Sequence, residues 1–387
     1  MNENASNISK SVAQKYAPLF LQSLVKHKSE SHVTLTQHIQ RTNLVLGKRV
    51  CEKYRIYLDT NYWIYLRDAA MGRPSKEVHL LLLNKLSKLA QDSRIICPVS
   101  DILLSELLTQ SDAKTRTATV GLMDLLSEGI TIASLPERIN SEILYWIRGH
   151  TLNAESLHPV GQLIWTRASH FLGHIFPTET TLSQEDEKAV QKASFDTMGS
   201  MSLTEVLETI GHNKIDSLER PPQVFVNLNE GKFNNLVSGK SYDDLLIDEV
   251  RGCVDAFWPH FLEVFAYLDQ TKTGMIPVTE NKDEIRIMTS SRIVAAFKNE
   301  KMGTHLPTFR ILAGSHAAVR WDPKRKYKSG DWMDFKHAAV ALSYFNAFFT
   351  DHSLAALLCN SPLEYDRLYN MRIISREEDA LSLIEKL

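Results

Sequence analysis

Five acidic side chains stand where the residue pattern changes between strand and helix. Asp59 closes Arg55-Ile-Tyr-Leu-Asp59, a short apolar run rich in β-formers, and Thr60-Asn61-Tyr-Trp-Ile-Tyr-Leu66 then reads as the start of a helix. Asp351 ends Ala347-Phe-Phe-Thr-Asp351 in the same manner. Glu106 lies on a helix over 102–109, at the edge of a face formed by Leu103, Leu104, Leu107 and Leu108. Asp331 and Asp334 open the helix that leads into the Asp351 strand. Carboxylates gathered at one place repel and cannot all stay ionised without a counter-cation. Hard oxygen donors of this kind suit Mg²⁺ or Mn²⁺. Each acid alone also has a simpler use: Asp59 as an N-cap, Glu106 as a solvated helix residue, Asp331 or Asp334 as a cap, Asp351 as a turn former. Their occurrence in order, at equivalent places, is what points to a shared site.

The elements that must position them alternate. Leucines at helical spacing run over 76–91, Arg94-Ile-Ile-Cys-Pro-Val99 reads as a second strand, and Ser100 and Asp101 can cap the helix bearing Glu106. A helix to Ser127 and a strand over 129–134 continue the series, and such alternation implies a parallel sheet, with functional groups beyond the carboxyl ends of its strands. Residues 137–320 break the pattern with segments that mostly read as helix: 142–147, 162–176, 184–198, 203–210, 243–268 and 284–299. Ser202-Leu-Thr-Glu205 has the form of a capping box, and Pro259 should kink or split the long 243–268 pattern. The alternation resumes at Asp331, and a strand over 371–375 and a short helix end the chain. The expected fold class is α/β, helix-rich overall, with an N-terminal basic helical segment (1–52), a first half-core (53–136), a helical insertion (137–320) and a second half-core (321–387).

Composition narrows the classes. The 387 residues include only 16 glycines, which favours helix over a turn-rich all-β architecture. With 44 Lys plus Arg against 46 Asp plus Glu, no overall basic field exists to hold a polyanion, so nucleic-acid binding must come from a local patch. Cys51, Cys97, Cys253 and Cys359 form no C-x-x-C pair and read as reduced, cytoplasmic thiols. The polar start lacks an apolar signal core and no run of about 18 apolar residues occurs, so neither secretion by that route nor a membrane span is expected.

The acidic constellation resembles the PIN-domain nucleases. The residues that carry the likeness are Tyr57-Leu58-Asp59-Thr60-Asn61, Val99 to Leu108 around Glu106, Asp334-Phe-Lys-His-Ala-Ala339, and Phe349-Thr350-Asp351. The resemblance implies an α/β/α sandwich with a central parallel sheet and divalent-metal-dependent cleavage of RNA, with DNA left open as a second substrate. It implies Asp59, Glu106, Asp334 and Asp351 as the acidic quartet, Asp331 as an auxiliary metal ligand, and Thr60 or Asn61 as a supporting polar contact. It covers 53–136 and 329–375, so the core would be split by the insertion, which is expected to meet another copy of the chain or a regulatory protein.

A local polyanion site is readable beside the acids. Arg320-Trp321-Asp322-Pro323-Lys324-Arg325-Lys326-Tyr327-Lys328 sets five cations against one anion and interleaves aromatics, so basic groups could hold phosphates while Trp321 and Tyr327 stack on bases. His170 and His174 stand at i, i+4 on an expected helix, a spacing usable for zinc but more often structural. Arg167 with His174 resembles, more loosely, the paired Arg and His of HEPN ribonucleases. Phosphate-cradling glycine motifs and the G-x-S-x-G elbow are absent. Two other readings stay open: a haloacid-dehalogenase-type phosphohydrolase, since Leu58-Asp59-Thr60-Asn61 resembles its nucleophile loop apart from the missing second acid, and a noncatalytic PIN-like module that binds a partner.

Overall fold

The computed structural model describes residues 3–149, 158–171, 173, 176–178, 181–210, 222–237, 239–270, 281–298 and 306–387. Two compact units divide the chain. The first takes in Met1–Ser134, Gly161–Ser217 and Glu377–Leu387, the second Leu135–Val160 and Leu218–Arg376. These bounds differ from those read in the sequence, because the stretch expected as one insertion is shared between the units. Helices dominate both, and no described helix is long and apolar enough to cross a membrane.

The chain opens with α1 (Glu3–Ser29) and α2 (Leu35–Cys51). Thr34 and Gln37 form a reciprocal capping box that starts α2. β1 (Tyr54–Leu58), α3 (Thr60–Ala70), α4 (Glu77–Gln91), β2 (Ile95–Ile96), α5 (Asp101–Thr109) and α6 (Ala113–Ser127) then alternate as expected. β1 and β2 pair in parallel, Tyr54 opposite Ile95 and Arg55 opposite Ile96. Ile56, Tyr57 and Leu58 are wholly buried, so the strand that ends at Asp59 is a core strand.

β3 (Ile130–Ile132) departs from the expected series. It joins β1 and β2 in no parallel ladder but touches Val99 through a single bridge. After α7 (Leu135–Gly149), which belongs to the second unit, come α8 (Val160–Leu163) and β4 (Trp165–Arg167), and β4 pairs antiparallel with β3. The helix expected over 162–176 is therefore replaced by a strand and a short 3₁₀ turn at Ala168–His170. Trp165 and Thr166 are good strand formers, and the ladder offered by β3 outweighs the helical spacing of their neighbours. Gly47 allows this segment to lie directly on α2, since a Cβ there would overlap the Gln162 carbonyl. α9 (Gln184–Gly199) packs on α1 and α2. α10 (Leu203–Ile210) starts at the expected Ser202–Glu205 box and is tied to α6 by Asp124, whose carboxylate accepts from the Leu203 and Thr204 amides at 2.8 and 3.0 Å.

The second unit contains α11 (Pro222–Val237), α12 (Tyr242–Ala256), α13 (Trp258–Gln270), α14 (Lys282–Lys298), α15 (Pro307–Trp321) and α16 (Asp331–Tyr344), followed by β5 (Ala347–Phe349), α17 (His352–Cys359), α18 (Tyr365–Leu368) and β6 (Arg372–Ile374). α19 (Glu377–Glu385) returns to the first unit and packs on α4. Pro259 splits the long pattern as expected, sitting in the first turn of α13 where its missing N–H costs nothing. Ile139, Ile143, Val254, Phe261, Ile293 and Phe309 join α7, α12, α13, α14 and α15 in one core. β5 and β6 pair in parallel, with Phe348 opposite Ile373.

A polar knot lies inside this core. Glu142 is fully buried and accepts from the Thr308 amide at 3.1 Å, the Thr308 hydroxyl at 2.5 Å and the Tyr344 hydroxyl at 2.5 Å. Burial pushes its carboxyl above the ordinary value of 4.5, and the bonds from Thr308 and Tyr344 and the charge of Arg138 only partly pull it back. A carboxyl whose folded pKa exceeds its unfolded one stabilises the fold fully below the unfolded value and less as pH rises through the folded value. Glu142→Gln removes that titration. The denaturation midpoint of the full chain should therefore fall less steeply with rising pH above 4.5 in the variant than in the wild type.

Candidate active site

In the first unit, the acid at the end of β1 starts the next helix. Asp59 Oδ1 accepts from the Asn61 and Tyr62 amides at 3.0 and 3.3 Å and is the N-cap of α3. The adjacent Thr60 hydroxyl donates to Glu106 Oε2, although the two residues are 46 positions apart. Their meeting is prepared by the strand. The buried Tyr57 hydroxyl is hydrogen-bonded to Ser100 Oγ at 2.8 Å, and the same oxygen caps α5 by accepting from the Leu103 amide at 3.2 Å. With the start of α5 held to β1, its second turn carries Glu106 to the Asp59–Thr60 corner. Asn61 contributes its amide to the cap, and its side chain is exposed.

The polar side chains at this corner all offer oxygen: the Glu106 carboxylate, the Thr60 hydroxyl bonded to it, and the carboxylate of Asp59 one residue before Thr60. This set fits Mg²⁺ or Mn²⁺, and Mg²⁺ commonly takes one or two carboxylates while keeping waters and substrate phosphates for its remaining positions. The two cap bonds of Asp59 both fall on Oδ1. The neighbouring Tyr62 hydroxyl is pushed well above its ordinary range, first by burial and then by the negative charges of Glu377 and Asp59.

In the second unit the same local device recurs. Asp351 is the N-cap of α17, and its Oδ1 accepts from the Ser353 and Leu354 amides at 2.6 and 3.1 Å. Asp334 lies half-buried in the first turn of α16. Only Phe345 and Asn346 separate α16 from β5.

Asp331 differs from the metal ligand expected. It is buried, its Oδ2 accepts from the Lys328 amide at 2.9 Å, and its Oδ1 pairs with Arg325 at 3.0 Å. Both oxygens thus fasten the loop before α16. Among the described residues, and within either unit taken alone, no three of the expected acids bring ligand atoms within 4.8 Å of one another.

The basic segment divides in the same way. Arg320 pairs with Glu249 and lies 3.9 Å from Asp248, and Arg325 is held by Asp331. Tyr327 is buried, with its hydroxyl donating to the His316 carbonyl at 3.0 Å and its amide to Asn229 at 2.8 Å, so its ring belongs to the core and cannot stack on a base. Lys232, itself buried, donates to the Asp322 and Arg325 carbonyls and pins the loop further. Trp321, Lys324, Lys326 and Lys328 remain exposed. His170 stacks on Phe195 at 4.5 Å in the 3₁₀ turn, not on a helix, while its expected partner His174 lies outside the described residues. Arg167 donates to the Glu128 carbonyl at 3.2 Å.

Sequence reading missed one further group, His27, His38 and Asp196, which three separate helices bring together. No local motif announces it, because the ligating pattern exists only after α1, α2 and α9 pack. Comparison with protein-family models, with curated proteins and with solved structures gave no match to this chain.

Because Asp59 is a cap, the two obvious substitutions should separate. Asp59→Ala should lower stability by about 1 kcal/mol, whereas Asp59→Asn, an equally good cap residue, should lose only a few tenths. Urea denaturation with unchanged m-values would show the difference.

Proposed function

We propose that this chain is a metal-dependent endoribonuclease with a PIN-like α/β/α core and a central parallel sheet. The meeting of Thr60, next to Asp59, with Glu106 across 46 residues carries the reading, since a solvated helix acid has no reason to be brought to the carboxyl end of a buried strand. Asp59 and Glu106 hold the cation, with Asp334 and Asp351 as a second pair of acids, and Thr60 orients the Glu106 carboxylate. Bound Mg²⁺ or Mn²⁺ supplies Lewis-acid stabilisation of a phosphodiester oxygen and a water acidic enough to attack phosphorus in line. The Asp59 and Glu106 carboxylates keep their corner anionic until the ion enters, and no side chain needs to form a covalent link to the substrate. Lys324, Lys326 and Lys328 contact phosphates, and Trp321 offers the stacking face. The four cysteines, none in a disulfide, fit action in a reducing compartment such as the cytoplasm.

A second reading is favoured by one observation: both strand-end acids are helix caps. A noncatalytic scaffold would keep Asp59 and Asp351 for that purpose alone.

Incubation of labelled single-stranded RNA and DNA with Mg²⁺, Mn²⁺ or EDTA separates the two. Cleavage of RNA should require the metal and fall on the order of 10²-fold or more in Asp59→Asn, Glu106→Gln, Asp334→Asn and Asp351→Asn. Cleavage that persists in EDTA, or that survives in all four variants, would sink the proposal. Binding should also weaken with salt, and replacing the three exposed lysines by alanine should flatten the log K against log salt slope by about 2.

A further inference from the structure

The His27, His38 and Asp196 cluster belongs to neither pair of acids. His27 stands in the last turn of α1, His38 in the first turns of α2 and Asp196 in α9, all in the first unit. His27 Nε2 is 2.8 Å from Asp196 Oδ2, His38 Nε2 is 2.7 Å from Oδ1, and Ser23 Oγ donates to Oδ2 at 2.6 Å. The two rings meet edge to face at 4.5 Å, which aims both Nε2 atoms at one carboxylate. The His27 side chain is fully buried while that of Asp196 is 25 % exposed, so the cluster has a closed side and a route to solvent.

Hydrogen bonds alone leave this arrangement incomplete. If both imidazoles donate from Nε2, neutral His27 keeps Nδ1 as a buried acceptor, and that atom has no hydrogen-bond partner. Glu30 Oε2 stands 3.9 Å from it, and a carboxylate there favours a proton on Nδ1 instead. With the proton on Nδ1, the Nε2 lone pair faces an anionic oxygen, an arrangement that a cation between the two makes favourable. A carboxylate behind a ligating imidazole is the usual outer support of a metal site.

We infer that His27 Nε2, His38 Nε2 and the Asp196 carboxylate bind a zinc-type divalent transition ion that clamps α1 and α2 to α9. Two imidazoles and one carboxylate suit zinc, unlike the all-oxygen set at Asp59 and Glu106. Tetrahedral zinc with bonds of about 2.0–2.1 Å sets its ligand atoms roughly 3.3 Å apart. The two nitrogen–oxygen separations open by about half an ångström to reach that value, and the three ligand atoms already lie within 4.8 Å of one another. A water on the exposed side completes the coordination. Lys192, one turn before Asp196, is a positioning residue: its buried ammonium donates to the Glu30 and Val33 carbonyls at 2.9 and 3.0 Å and fixes the turn between the two histidines.

The full chain, stripped with EDTA and dialysed, is titrated with Co²⁺ and then Zn²⁺. The wild type should take up one Co²⁺ at this cluster, seen as the visible absorption of a tetrahedral nitrogen and oxygen site, Zn²⁺ should displace it, and either ion should raise the thermal midpoint. His38→Ala and Asp196→Asn should lose the spectrum and the metal-induced shift, while Asp59→Asn and Glu106→Gln keep both. Circular dichroism in EDTA shows that the variants are folded, and should His38→Ala fail to fold, the wild-type spectrum and Asp196→Asn still decide. A wild type without the spectrum, or zinc binding unchanged in both cluster variants, would make the cluster a hydrogen-bonded His–Asp–His bridge and overturn the inference. Because the readout is metal binding and not RNA cleavage, loss of the nuclease reading would leave it standing.

Discussion

The turn from a buried strand into a helix, controlled by one carboxylate, is the constraint on which the site region depends. β1 is buried along its last three residues, so the chain leaves it at a fixed point and in a fixed direction. The Asp59 carboxylate then takes the first free amides of α3, groups that would otherwise be left without partners at the helix start. Asp351 does the same for α17 in the second unit. In both places an acid is held at the carboxyl end of a parallel strand pair by the backbone it caps. A side chain so fixed is preorganised: its position is determined before any ligand arrives.

The interior uses buried polar groups in a second way. Glu142 gathers Thr308 and Tyr344 from distant parts of the chain, and Lys192 gathers the turn between α1 and α2. Burying such groups costs several kcal/mol unless each is bonded, so each specifies which segments must lie together. Asp331 plays this part for the basic segment. By taking Arg325 and the Lys328 amide it orders the loop, and the buried Tyr327 anchors it, which leaves the lysines displayed on a defined surface and not on a free strand.

Several features were legible residue by residue. The β1–Asp59–α3 and β5–Asp351–α17 corners were readable because β-former runs, a capping acid and helical spacing are all local signals. The box at Ser202 and Glu205 and the break at Pro259 were readable for the same reason. The helix expected over 162–176 failed because β3 offers Trp165 and Thr166 a ladder that no window of sequence contains. Tyr327 and Arg320 looked available because composition reports charge and aromaticity but not burial. The unit boundaries differed because α7 packs its apolar face with α13 and not with its neighbours in sequence.

By itself the sequence determined the helix-rich α/β character, the acids at strand ends and the capping residues, since these rest on periodicity and on interactions within a few positions. Tertiary structure alone decided that Thr60 would meet Glu106, that Asp331 would be bound to Arg325, and that His27, His38 and Asp196 would share one point. Contacts between residues tens to more than a hundred positions apart depend on how helices pack, and packing is set by the summed burial of whole faces, which no local pattern encodes.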